Sequence, residues 1–270
     1  RKCWTHVPIC VCPLFERDDG ALSSEKGNSL LNNAEKERSS KAPLPKGIDR
    51  VVLWTHHEEW GRTSNTGSLL PLGLERTEML MKGLPEHDEI MDDLLSRDDL
   101  TPVVLWPGKG QGNNATTTIP ELQRKFAENG DGCNNSINNT KPDIVLISIE
   151  GTWNTARKMV NKLPSKVLRL DLGDEVAANF STPEMNAGIF CNSSYPSPFP
   201  PPNESEALSL LAPLRRQKHG KRENVSTAEA TIVALLGLGL GHEDAGRILR
   251  VLRTKVDRLL QYSGKTTWRK

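Results

Sequence analysis

The sequence predicts an α/β fold built on a mostly parallel sheet with flanking helices. Three observations carry this expectation. Four short apolar runs are continuous rather than alternating, which is the pattern of strands covered on both faces. Stretches with helical spacing fall between those runs, and strand followed by helix followed by strand is the order of an α/β sheet. The C-terminal part closes with a capped apolar helix and a long amphipathic one.

The apolar runs are Val51–Trp54, Val103–Trp106, Ile144–Ile149 and Val167–Leu170. Helical spacing predicts helices over about Leu69–Leu84 and Trp153–Leu163. Ser226-Thr227-Ala228-Glu229 reads as a capping box, with Ser226 accepting from the Glu229 N–H while the Glu229 carboxylate reaches back. Gly237, Gly239 and Gly241 then break the chain before a last helix of about 242–262. That helix carries Ala245, Ile248, Leu249, Leu252, Val256, Leu259 and Leu260 on one face, and Arg247, Arg250, Arg253 and Arg258 on what reads as a solvated one.

Polar stretches divide the chain. Residues 1–15 form a Cys-rich segment, and 16–47 read as a flexible linker or insertion. A domain over 48–262 follows, with polar insertions at about 108–142 and 192–222, the second opening on a Pro-rich run that excludes regular structure. The chain has 270 residues, 36% hydrophobic, with a mean hydropathy of −0.50. Its 35 basic and 34 acidic residues leave a net charge of +1, so nucleic-acid binding requires a local basic patch rather than a global field. No apolar run approaches the ~20 residues that span a bilayer, so no membrane association is expected. Five cysteines, three of them clustered near the start, point to an intracellular protein, of the cytoplasm, the nucleus or an organelle, rather than a secreted disulfide framework. The oligomeric state is not legible.

Four segments have residues suited to chemistry. Cys3, Cys10 and Cys12 supply three of the four ligands of a tetrahedral zinc centre, with His6 or a Cys ahead of Arg1 as the fourth. They read equally well as reduced thiols. The polar segment His56–Gly67 follows the first strand, where open α/β sheets place their ligand sites; its plainer reading is a loop with a helix cap at Asn65 or Thr66. Trp106-Pro107-Gly108 ends the second strand in a turn that admits a ligand close to the backbone. Glu150-Gly151-Thr152-Trp153 places a carboxylate at the end of the most apolar strand, just before a helix N-terminus. Spacing alone makes Thr152 the helix cap and Trp153 a core residue.

Taken in order, these segments resemble one family. The Cys-rich start, His56-x-Glu58-Glu59 with Asn65-Thr66-Gly67, Pro107-Gly108, Gly151-Thr152-Trp153 with Ala156-Arg157-Lys158, and Ser226-Thr227-Ala228-Glu229-Ala230 are similar to the DTW-domain family of tRNA-uridine aminocarboxypropyltransferases. The resemblance implies a SPOUT-like fold with a C-terminal trefoil knot, a rare exception to unknotted topology. It implies transfer of the 3-amino-3-carboxypropyl group of S-adenosylmethionine to N3 of a uridine in tRNA, leaving methylthioadenosine.

The resemblance also implies residue roles. Glu150 is the catalytic carboxylate, either as general base for the uridine N3 proton or as a partner of the positive sulfonium or the amino group of the transferred arm. Pro107, Gly108, Thr152, Trp153, Ser226, Thr227, Asn65 and Thr66 bind the co-substrate. Arg62, Arg157, Lys158, Arg215 and Arg216 meet the tRNA. Cys3, Cys10 and Cys12 are three ligands of a structural zinc whose first ligand precedes Arg1. The family's signature acid is Asp, and here it is Glu150. The added methylene displaces the carboxylate by ~1 Å, an error worth about 100-fold in rate unless the pocket compensates. The alternatives are another S-adenosylmethionine-dependent RNA modification (methylation or rRNA aminocarboxypropylation), or a catalytically silent RNA-binding homologue.

Overall fold

A computed structural model describes residues 3–5, 7, 10–16, 41–107, 115–128, 143–173, 210 and 225–264. Gly108, Arg215, Arg216, His6 and the Pro-rich run of 192–206 lie outside the described residues.

The apolar runs become the centre of a six-stranded, all-parallel sheet. Its strands are β1 (Ile48–His56), β2 (Thr77–Lys82), β3 (Leu100–Leu105), β4 (Thr116–Thr117), β5 (Asp143–Glu150) and β6 (Leu168–Leu170). The spatial order is β2-β1-β5-β3-β6-β4, so β5 is inserted between the two earlier strands β1 and β3. Central β1 and β5 are apolar almost throughout because both of their faces are covered.

One face packs on α6 (Thr227–Gly237) and α7 (His242–Tyr262), together with the short α1 (Pro13–Glu16) and α2 (Leu70–Gly73). The other packs on α3 (Pro85–Ser96) and α5 (Trp153–Val160), around Val52, Trp54, Met91, Leu94, Ile147 and Met159. Helix α4 (Ile119–Glu128) lies on the first face, where Ile119 and Leu122 are buried.

Three expectations change. The predicted helix over Leu69–Leu84 is instead a 3-10 turn, the four-residue α2 and strand β2. Pro71 at its start and Gly73 at its end keep α2 short, and the following residues pair with β1 as an edge strand. The stretch 108–142 contains β4 and α4, whose polar surface hid its structure. On α7 the Arg side is not uniformly solvated. Arg253 is buried and its Nε donates to both Asp257 oxygens at 3.1 and 3.2 Å. The capping box at Ser226 and the span of α7 stand as the sequence predicts.

Candidate active site

The parallel register aligns Glu150 with Thr55, so the last residue of β5 lies at the carboxyl ends of the central strands. Ligand sites of open α/β sheets favour this edge. The loop leaving β1 folds back over it. There the Gly67 N–H donates to Glu150 Oε1 at 2.8 Å, across 83 positions of sequence. The Thr227 side chain, on the first turn of α6, also hydrogen-bonds the carboxylate. One buried carboxyl group is thus gripped by the strand that bears it, by the loop after β1, and by a helix N-terminus.

Burial dominates the electrostatics of this group. Glu150 is 7% exposed, and desolvation raises its carboxyl pKa to about 7, with Glu59 adding a smaller push. The Gly67 N–H, the Thr227 side chain and the nearby Lys255 ammonium act in the opposite direction. The result is a carboxyl group that exchanges a proton near neutral pH, the range useful to a general base.

The loop has its own internal supports. Asn65 Oδ1 accepts from the Ser68 N–H at 3.0 Å, and Thr66 Oγ1 accepts from the Ala228 N–H at 3.4 Å, tying the loop to α6. Asn65 Nδ2 is buried without a hydrogen-bond partner among the described residues. Beneath the loop, the α7 residue Lys255 is 1% exposed. Its Nζ donates to the Asn65 carbonyl at 2.6 Å, to Ser68 Oγ at 3.2 Å and to the Cys3 carbonyl at 3.3 Å. Lys255→Met removes all three donors and strands buried acceptors. It is expected to cost about 2 kcal/mol or more, read as a lower midpoint in urea unfolding at constant slope.

Lys255 joins the loop to the Cys-rich segment. The Sγ atoms of Cys3, Cys10 and Cys12 all lie within 4.8 Å of one another, with Cys3 and Cys10 at 3.6 Å. A tetrahedral zinc with bonds of about 2.3 Å sets its sulfurs ~3.8 Å apart, so the three thiols fit that ion. Burial opposes the Cys3 thiolate, but hydrogen bonds from the Thr5 hydroxyl and the backbone outweigh it and lower this thiol to about 6. Burial and the adjoining Cys3 push Cys12 up to about 11, since thiolates this close repel without a cation between them. The segment is held against the domain by Trp4 packing on Trp60 and by Arg258 donating to the Cys10 carbonyl. A second group, His56, His57 and Glu58, is largely exposed and partly bonded to itself.

A protein-family model, the DTW domain, matches residues 38–260. The chain belongs to the DTW-domain family. No curated protein and no solved structure matches it. DTW-domain proteins are tRNA-modifying enzymes, a family property consistent with an RNA partner.

Within the DTW domain, the structure brings together Glu150, Thr227 and the Asn65–Gly67 loop, with Ser226 and Thr152 at the adjoining helix starts. Ser226 is committed to its capping box, where Glu229 also accepts from the Leu210 N–H at 2.6 Å. Thr152 caps α5 as spacing predicts. Trp153 does not enter the core. It is 52% exposed and stacks on Trp106 at 4.9 Å, because its position on the first turn of α5 faces the end of β3 and not the sheet. Pro107 follows that strand end and is exposed. Arg62 is paired with Glu59 at 2.8 Å, while Arg157 lies over the Trp153 ring at 5.8 Å and Lys158 is exposed.

Sequence reasoning quoted Gly67 only within a motif, without a role of its own, and passed over Lys255. Lys255 did leave a signal, since it occupies a core position of an amphipathic helix, three residues after Leu252 and beside Val256. Among the described residues no helix is long and apolar enough to cross a membrane.

Proposed function

We propose that this DTW-domain protein transfers the 3-amino-3-carboxypropyl group of S-adenosylmethionine to N3 of a uridine in tRNA. The observation that carries the reading is the desolvated Glu150 carboxyl, poised near neutrality among three chain segments that converge on one strand end. Glu150 takes the N3 proton. The nitrogen attacks the carbon next to the sulfonium, a new N–C bond forms, and the C–S electron pair leaves on sulfur as neutral methylthioadenosine. On this reading the C-terminal helices belong to the SPOUT-like knot that lines the co-substrate pocket. The convergent first turns of α5 and α6 and the spare Asn65 amide are the groups offered to its polar atoms. Glu150, a methylene longer than Asp, is accommodated because Gly67 has no Cβ in its path. Cys3, Cys10 and Cys12 hold a zinc ion whose contribution is structural, fixing the segment on which Lys255 and the loop rest.

The test is to incubate the protein with unmodified tRNA and S-adenosylmethionine, then measure nucleoside masses after digestion. A uridine heavier by one aminocarboxypropyl group is expected, reduced about 100-fold or more in Glu150→Gln, the size of a lost general base. A methylated nucleoside would sink the assigned transfer while keeping the co-substrate. Saturable S-adenosylmethionine binding with no modified nucleoside from any tRNA pool would make the protein a silent RNA-binding member.

A further inference from the structure

The face of the sheet opposite α6 and α7 carries a feature that the reaction does not use. Between α3 and α5 lies a cleft of about 380 Å³. Its floor is apolar and buried, formed by Trp54, Met91 and Met159. Its rim is cationic, with Lys82, Lys162 and Lys166 against a single acid, Asp92. Lys82 lies 5.0 Å from the centroid of the Trp54 ring and 3.8 Å from Asp88. Lys162 and Lys166 are exposed and form no ion pair with any described residue. Their exposed ammonium groups are open to an anionic ligand at the cleft.

One helix leads from the candidate active site toward the cleft. Helix α5 starts three residues after Glu150 and runs eight residues, about 12 Å, toward it. Exposed Arg157 and Lys158 lie along that helix, and neither is in an ion pair with a described residue. Together with Lys162 and Lys166 they make a cationic track from the strand end to the cleft rim. In a chain of net charge +1, such a track is a local departure from neutrality. A polyanion that lies along it matches both its charge and its length. A cavity of this size with an apolar floor also suits one nucleotide.

We propose that the α3–α5 cleft is an anchoring site for the tRNA substrate, taking a nucleotide remote from the reacting uridine, with its phosphates on Lys162 and Lys166. The proposal rests on the reading that tRNA is the substrate. Phosphate contacts of this kind fix register and supply salt-dependent affinity without reading sequence.

The experiment measures binding of unmodified tRNA to the wild-type protein and to Lys162→Glu/Lys166→Glu by fluorescence anisotropy at several salt concentrations. S-adenosylmethionine binding and the unfolding midpoint are followed in parallel. The double variant is expected to bind tRNA at least about tenfold more weakly, with a salt slope shallower by about 2, one for each lost phosphate contact. Its co-substrate binding and unfolding midpoint stay at wild-type values. Met159→Trp, which fills the floor, should also weaken tRNA binding but leave the salt slope near the wild-type value. Unchanged affinity and slope in the double variant, with the wild type binding tRNA, would overturn the cleft assignment alone. Failure of the wild type to bind any tRNA would remove the substrate reading on which it depends.

Discussion

Gly67→Ala is expected to lower turnover by about 100-fold while leaving the protein folded, the loss associated with displacing a reacting group by ~1 Å. A Cβ built at Gly67 falls 2.4 Å from Glu150 Oε1 and 3.1 Å from both Cγ and Cδ of the same side chain. The carboxylate has nowhere to retreat without breaking its bonds, because the Gly67 N–H and Thr227 hold it. The backbone at Gly67 is not in the left-handed region, so alanine adds no conformational strain and the damage stays local. Steady-state kinetics with the unfolding midpoint as control would decide it. Gly67→Ala/Glu150→Asp draws the clashing carboxylate back by one methylene and should recover part of the lost rate. Wild-type turnover in Gly67→Ala would mean that Glu150 does not act from the position seen here.

The second large effect is on pH dependence. Burial raises the Glu150 carboxyl from 4.5 to about 7 in the folded protein. Between those values the folded state holds a proton that the unfolded state has released. Stability contributed by this group is therefore complete at low pH and falls as pH rises, by about 3 kcal/mol once pH passes 7. Activity has the opposite trend, because a general base must be ionised: kcat/KM should climb through about pH 7 and then level. Glu150→Gln should flatten the stability profile over this window and abolish the activity limb. Urea unfolding at a series of pH values checks the first statement and pH–rate profiles the second. A wild-type stability that rises across this interval, with Gln unchanged from Glu, would contradict a desolvated carboxyl at this position.

Much of the fold was legible because burial on both faces leaves an unambiguous mark. Val51–Trp54 and Ile144–Ile149 have no polar interruption except Ser148, and they form two adjacent interior strands. Ser148 is itself satisfied, through Thr231 on α6 at 2.7 Å. The capping box at Ser226 was readable since its two bonds join residues three apart. Edge elements were harder. β2 is half-exposed along most of its length, so Met79, Leu80 and Met81 merged with the leucines of α2 into a false helical period.

At the site, the family resemblance singled out Glu150 and Thr227, but the contact between Glu150 and Gly67 was not legible, because it depends on the inserted position of β5 beside β1. Arg253 and Lys255 show the same limit. A charge on an amphipathic helix reads as solvated, and only tertiary packing reveals that Asp257, or the carbonyls of Asn65 and Cys3, take it inside.

The Lys255 ammonium has a consequence for the birth of the protein on the ribosome. Its partners lie 252 and 190 positions earlier in the chain. At roughly 5–20 residues per second, synthesis takes about a quarter of a minute to most of a minute to cover that distance. During this interval the Cys-rich segment and the loop over Glu150 exist without the cation that joins them. The sheet core can assemble as its strands emerge, but the constellation at its carboxyl edge is completed only by α7. Ribosomes stalled before that helix would display a chain with most of its strands formed and its chemistry still in pieces.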